Sequence, residues 1–212
     1  MMIKTIEFGT LKRSELRQAA ELAARAFSDY EYFTNWFPDK EERAKVESAI
    51  IWCSYKTNFS RAPQLSAKLD GKIVATAELN APDFKEPSVL SYILHGWLNV
   101  YKAAGIKRVN DWIAMDAAAS QPCHDYQKTG PGIWYLSSIS TDPSMQGIGL
   151  GTKLMDYYEN YIRERGGKQV VLVTNSQKNL NFYVKRGYEV FDERVFDCHG
   201  RKMGSWSLKK VL

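Results

Sequence analysis

The 212 residues carry 44% hydrophobic and 25% charged side chains and a formal net charge of +5, the balance of a soluble globular domain with a proper core. No run approaches the roughly eighteen consecutive apolar residues of a membrane span. The three cysteines, Cys53, Cys123 and Cys198, are odd in number and dispersed, which argues against a disulfide framework.

The start, Met1-Met2-Ile3-Lys4-Thr5-Ile6-Glu7, lacks the apolar core of a signal peptide. Cytoplasm is therefore the expected location, and Ile3 to Phe8 reads as a first strand by its alternation. Leu16, Ala19, Ala20, Ala23 and Phe27 mark one face of a helix ending near Ser28-Asp29. Five aromatic residues follow: Tyr30, Tyr32, Phe33, Trp36 and Phe37. Asp39 with Glu42 resembles a capping box, so a second helix is expected from about Lys40 to Phe59. Leu65 to Leu69 and Lys72 to Leu79 read as strands joined by Asp70-Gly71, a strong hairpin signal.

Asn80 to Pro87 is a loop. Val89 to Ala119 keeps helical spacing through Ile93, Trp97, Val100, Tyr101 and Ala104, with one break expected at Gly105. Ser120 to Gly132 reads as turns. From Ile133 the order is strand, helix, strand, helix, strand, strand; Gly166-Gly167 and Gly187 end the two helices, and Cys198-His199-Gly200 turns the last hairpin. No repeat, low-complexity tract or linker is visible, so residues 1–212 are expected to form one α/β domain. Its sheet should be mixed and twisted, with six or seven strands and helices on both faces.

The segment between the strand ending at Thr141 and the helix beginning near Leu150 carries Gln146-Gly147-Ile148-Gly149-Leu150-Gly151. Strand, glycine-rich turn and helix start build an anion cradle. Glycine admits close approach of backbone N–H groups, and the helix end adds unpaired donors and partial positive charge. A phosphate-bearing ligand is implied. A Walker loop is excluded because Thr152-Lys153 follow the last glycine in the wrong order. A dinucleotide fingerprint is excluded by the glycine spacing and by the absence of an acid at the end of Gln169 to Thr174.

The pattern Gln-x-x-Gly-x-Gly at Gln146, Gly149 and Gly151, with Asn179-Leu180-Asn181-Phe182-Tyr183 and Arg186-Gly187-Tyr188, resembles the GNAT acyltransferase superfamily. More narrowly, Ala26-Phe27-Ser28-Asp29-Tyr30, Trp134-Tyr135-Leu136 and Asn179-Leu180 with Phe182-Tyr183 resemble the puromycin N-acetyltransferase-like subgroup. The strong match runs from about Trp134 to Leu208. The resemblance implies the GNAT fold, with the long helical segment as an insertion before the coenzyme-A-binding half. It also implies acetyl-CoA as cosubstrate, a small-molecule amine as acceptor, and direct attack in a ternary complex.

By the same resemblance, Gly147, Ile148, Gly149, Leu150, Gly151 and Thr152 hold the pyrophosphate and Gln146 shapes the turn. Main-chain groups of Ile139 and Thr141 pair with the pantetheine arm, Asn179 lies beside it, and Tyr183 is the general acid. The subgroup's glutamate before the last helix is missing: this chain reads Leu172-Val173-Thr174. Candidate bases are then Glu78, Asp29, Glu31, His95 and His124, none of which stands out.

Asp29, Tyr30, Phe33 and Glu78 are candidate acceptor contacts. The aromatic group after the first helix, with Tyr92, Trp97 and Tyr101, suggests an apolar or aromatic acceptor body. Cys123-His124 and Cys198-His199 lack metal-ligand spacing and read as loop positions, so no metal is expected. Lysines and arginines stand singly or in pairs, so neither nucleic acid nor a membrane is an expected partner. The oligomer is open between monomer and homodimer. An acyl-CoA sensor without turnover and a protein lysine or N-terminal acetyltransferase remain alternative readings.

Overall fold

In the computed structural model, which describes residues 5–145 and 147–212, strand β1 (Ile6–Thr10) is followed by helices α1 (Leu16–Phe27), α2 (Glu31–Thr34) and α3 (Lys40–Asn58). Strands β2 (Gln64–Leu69) and β3 (Lys72–Asn80) form a hairpin whose turn residues Asp70 and Gly71 have φ of 51° and 74°. Three inserted helices follow: α4 (Val89–Leu94), α5 (Leu98–Ala104) and α6 (Ile106–Gln127). The rest is β4 (Ile133–Thr141), α7 (Leu150–Arg163), β5 (Gln169–Thr174), α8 (Gln177–Lys185), β6 (Glu189–Cys198) and β7 (Arg201–Val211).

The strands make one seven-stranded sheet in the order β1-β2-β3-β4-β5-β7-β6. Pairing is antiparallel except between β4 and β5, which run parallel. Alternation sends Ala75, Ala77 and Leu79 of β3 to one face. There they pack with Trp134 and Leu136 of β4, Val170 and Leu172 of β5, and Leu150, Leu154, Tyr158 and Ile162 of α7. Full burial of each large apolar side chain contributes about 1.5–3 kcal/mol.

The residues between them, Thr76, Glu78 and Asn80, are buried on the opposite face. That face is covered by α1 and α3, which share a core with Leu11 and Ile73, and by α6, whose Cys123 packs on Ile133, Tyr135 and Val171. A strand with a polar inner face is unusual, and it lies under the insertion.

Four local expectations change. The first strand is described from Ile6 and runs on to Thr10, held by pairing with Leu65; the residues before Thr5 lie outside the described part. At α3, Asp39 Oδ1 accepts the Glu42 N–H at 2.8 Å, but the Glu42 side chain turns to Arg108 at 2.6 Å. Only half of a capping box therefore forms. The insertion breaks twice rather than once, because Gly96, at φ 112°, separates α4 from α5 before Gly105 ends α5.

The fourth change is the stretch from Ser120, which is not turns: α6 continues through Pro122 to Gln127. Cys123 and His124 are therefore helical rather than loop positions. A proline inside a helix removes the N–H owed to the carbonyl four residues back. Here that carbonyl, Ala118 O, accepts from Arg194 Nη1 at 3.0 Å. A donor on β6 thus fills the gap in the helix ladder.

Candidate functional site

Parallel strands β4 and β5 pair only at Ile133–Gln169, Trp134–Val170 and Tyr135–Val171. Beyond Tyr135 they diverge, while β4 continues to pair with β3 as far as Thr141. The register slips between Glu78 and Leu79 of β3, leaving Ser137 as a bulge on β4. One edge of β4 therefore faces an opening in the sheet. Asp142 N–H donates to Val74 O on β3 at 2.8 Å. Alternation along an extended strand then turns the backbone groups of Thr141 and Ile139 toward the opposite, open edge.

That edge borders a cavity of about 480 Å³ lined by Leu136 to Thr141, Gly147, Gly149 to Thr152, Val173, Lys178, Asn179, Phe182 and Tyr183. Gly147 and Gly149 have φ of 84° and 76°, the left-handed region that a side chain disfavours. The first bond inside α7 runs from Lys153 N–H to Gly149 O at 3.1 Å, so the N–H groups ahead of it belong to the helix end. A Cβ on Gly149 meets no atom of the chain within 4 Å. The space over this turn is open to a ligand, and the cradle fits a pyrophosphate. Gln146 lies outside the described residues. Ile148 is 56% exposed and does not line the cavity.

A second cavity, about 680 Å³, lies on the polar face of β3 between α3, α6 and the sheet. Phe27, Tyr30, Ser137, Ser138 and Val173 line both cavities, so the two meet at the bulge. Glu78, 5% exposed, stands opposite Ser138 in the β3–β4 register. Its carboxylate accepts from Asn58 Nδ2 at 2.8 Å, Gln64 Nε2 at 2.8 Å and Ser137 Oγ at 3.1 Å. Burial pushes its pKa up, and the three neutral donors only partly offset that.

Tyr30 fixes the shared wall. Its hydroxyl accepts from Asn175 N–H at 2.8 Å and lies 3.3 Å from Thr174 Oγ1. Tyr183 is buried, with ring centroids 5.6 Å from both Phe182 and Tyr188. Burial raises its pKa, and the nearby Tyr30 adds to the rise. It stays a protonated phenol, the form that can donate.

The expected acceptor residues separate. Tyr30, Tyr32, Phe33, Glu78, Tyr92 and His124 line the larger cavity. Trp36 and Phe37 are buried in the helical core beneath it, and Trp97 and Tyr101 pack there as well. Asp29 and Glu31 are exposed and line neither cavity. His95 accompanies Arg13, Lys56 and Arg61 around a separate depression. Val173, where the resembled subgroup has glutamate, lines both cavities and brings no carboxylate.

Several lining residues were not singled out from the sequence. Asp116 of α6 lines the larger cavity and accepts a hydrogen bond from the Tyr32 hydroxyl. Burial raises its pKa, opposed by Tyr32 and His124. Its signal was an acid flanked by Trp112 and Ser120 at helical spacing. Asn58 and Asn80 were legible only once β3 was known to carry a polar inner face. Lys178 supplies a cation at the smaller cavity.

The model of the acetyltransferase (GNAT) family matches residues 21–188. A comparison with curated proteins finds no match. Among solved structures, a histone acetyltransferase HPA2 and related acetyltransferase from Corynebacterium glutamicum is 16% identical, with 96% of this chain and 95% of that chain covered and a TM-score of 0.64. A polyamine N-acetyltransferase from Drosophila melanogaster is 17% identical over 98% of this chain and 100% of that chain, with a TM-score of 0.60. The paia N-acetyltransferase of Thermoplasma acidophilum, solved in complex with coenzyme A, is 13% identical over 98% and 99%, with a TM-score of 0.57. At these identities the likeness shows the fold.

Proposed function

The chain belongs to the acetyltransferase (GNAT) family, which makes it an acetyl-CoA-dependent N-acetyltransferase, and on that premise we propose that it acetylates the amine of a small molecule by direct attack in a ternary complex. The observation that carries the reading is the meeting of the two cavities at Ser137 and Ser138, one bordered by the glycine turn and the other by a buried carboxylate. We take residues 1–212 as one acetyltransferase domain, supported by the continuous seven-stranded sheet.

Acetyl-CoA supplies an activated acyl group as a thioester. Gly147, Gly149, Leu150, Gly151 and Thr152 hold its pyrophosphate, and Lys178 adds positive charge nearby. Backbone groups of Ile139 and Thr141 hold the arm along the open edge of β4, as an added strand is held, with Asn179 beside it. At the junction, Glu78 takes the proton from the acceptor nitrogen. Its raised pKa suits that exchange better than an ordinary exposed carboxylate. Tyr183 protonates the departing sulfur. Tyr30 and Phe33 flank the acceptor and keep water from the reacting atoms.

The puromycin-type likeness is retained for the layout of the insertion. Glu78, reaching the junction from β3, replaces the carboxylate absent at Val173, and this change of base argues for an acceptor other than puromycin. The test is a broad panel of small amines with acetyl-CoA, followed by thiol release and by mass of the N-acetyl product. Acetylation of small amines supports the reading. Coenzyme A binding without turnover of any amine, or acetylation of peptides alone, overturns it.

A further inference from the structure

Three features of the larger cavity concern what the acceptor carries besides its reacting nitrogen. Two of its buried polar atoms are acceptors without donors, while Trp112 Nε1, on the same lining, is a donor without an acceptor. Asn58, 7% exposed, and Asn80, 5% exposed, line the cavity, and the Oδ1 atoms of both are buried with no hydrogen-bond partner. With Glu78 ionised, the orientation of Asn58 is set, because its Nδ2 then faces a carboxylate that only accepts. Its Oδ1 is thereby left for a donor from outside the chain. A buried acceptor without a donor costs about 1–3 kcal/mol, and an ammonium brings three N–H donors.

The second feature is a second carboxylate in the same cavity, brought by α6 rather than by the sheet. Asp116, on α6, lines the larger cavity but not the smaller one. The Tyr32 hydroxyl donates to its Oδ1, which leaves Oδ2 outside that bond. The third is that, among the described residues, no Lys or Arg forms an ion pair with either carboxylate; His124, on the same wall, offsets Asp116 only in part. Lys128, a lining lysine, is 74% exposed and pairs with Asp125 at 3.6 Å. Glu86 adds further negative charge. The rings of Tyr30, Tyr32 and Trp112 line the same cavity; Tyr30 and Tyr32 stack at 6.0 Å, and Tyr32 and Trp112 meet edge-on at 5.5 Å. Such faces suit a hydrocarbon chain and attract a cation.

We propose that the acceptor is dicationic, with the reacting amine held at Glu78, Asn58 and Asn80 beside the junction and a second positive nitrogen held by Asp116 of α6. This rests on the acetyl-transfer reading and narrows it to diamine-type substrates with an apolar spacer. Asp116 is then the residue that selects for the second charge. Burial disfavours an isolated carboxylate in both acids, and a bound cation restores the ionised form.

The test compares a homologous series of linear α,ω-diamines with monoamine counterparts in which a methyl group replaces the distal nitrogen. Wild-type protein should prefer the best diamine by about tenfold or more in kcat/KM, the worth of one charged hydrogen bond. Asp116→Asn should erase that preference, and Asp116→Glu should retain it with a shifted length optimum. Equal use of diamine and monoamine by wild type, or an unchanged ratio in Asp116→Asn, overturns the proposal.

Calorimetric titration of the diamine into the coenzyme A complex gives a readout free of turnover. Diamine binding that weakens in Asp116→Asn, with no acetylation of any amine, supports the dicationic site and refutes acetyl transfer. Absence of diamine binding alongside turnover of monoamines does the reverse.

Discussion

Tyr30 Oη and the backbone N–H of Asn175 are joined at 2.8 Å across 145 residues. The bond ties the end of α1 to the end of β5, where the chain turns into the helix that carries Asn179 and Tyr183. Tyr30→Phe leaves the Asn175 N–H, in a residue 4% exposed, without its acceptor. The expected loss is about 1–3 kcal/mol of stability, read from denaturant midpoints. A variant as stable as wild type shows that the bond adds nothing.

Glu78→Gln removes the carboxylate at the junction. An amide turn of Gln64 offers the new side chain its unpartnered Oε1 as acceptor, at the cost of the Gln64 Nε2 bond to Tyr55 O at 3.2 Å; the variant should fold with some loss of stability, as a thermal melt will show. If Glu78 takes the acceptor proton, kcat at neutral pH falls by about a hundredfold. The deficit shrinks as pH rises, because the amine then arrives already neutral. In wild type the acid limb of kcat/KM, which reports the free enzyme, falls at a pH above the ordinary carboxylate range, since burial raises the Glu78 pKa. A uniform deficit at every pH identifies Glu78 as a binding group instead.

Gly149→Ala separates conformational from ligand effects. At φ 76° the new residue is strained, at about 1–2 kcal/mol, while its Cβ meets nothing in the chain. On the proposed reading, what the methyl group would meet is the pyrophosphate of coenzyme A. Coenzyme A affinity by calorimetry should fall by about tenfold or more, with the protein folded. Unchanged affinity removes the glycine turn from the cofactor site.

Glu47 gives a stability signal remote from both cavities. Burial raises its carboxyl to about 7, opposed by Arg43 and reinforced by Asp29. Arg43 lies 3.8 Å away and gives its hydrogen bonds to the carbonyls of Ser28, Phe37 and Pro38. A folded-state pKa above the unfolded one means that protonation favours the native state. The contribution is complete below the ordinary glutamate range and is lost as pH rises through about 7. Glu47→Gln should therefore gain on wild type between pH 5 and 8, by on the order of 2 kcal/mol. Parallel stability curves for the two proteins contradict this.

The features that read well in the sequence are set by near neighbours. Asp70-Gly71 makes its hairpin, Asp39 caps α3, and the glycines before α7 take the left-handed conformations that their type permits. The glycine turn and Asn179 and Tyr183 lie at one cavity because strand β5 and its flanking helices are sequential. The acceptor side was less legible because its parts come from distant segments. Asp116 acquires meaning from Tyr32, and Glu78 from Asn58, Gln64 and Ser137. The continuation of α6 past Ser120 was hidden too, because the donor to the carbonyl that Pro122 leaves unpaired comes from β6.

That last contact has a bearing on how the chain matures. Synthesis runs from the N-terminus, so α6 emerges with Ala118 O lacking the intrahelical donor that Pro122 cannot supply. Arg194, its eventual partner, is translated 76 residues later. The lower half of α6, with Ser120, His124 and Gln127 of the larger cavity, therefore gains its last fastening when the closing hairpin docks. Strand β5, which borders the smaller cavity, likewise waits for β7 to pair with it. Both cavities thus receive a wall or its support from the last segment to be translated.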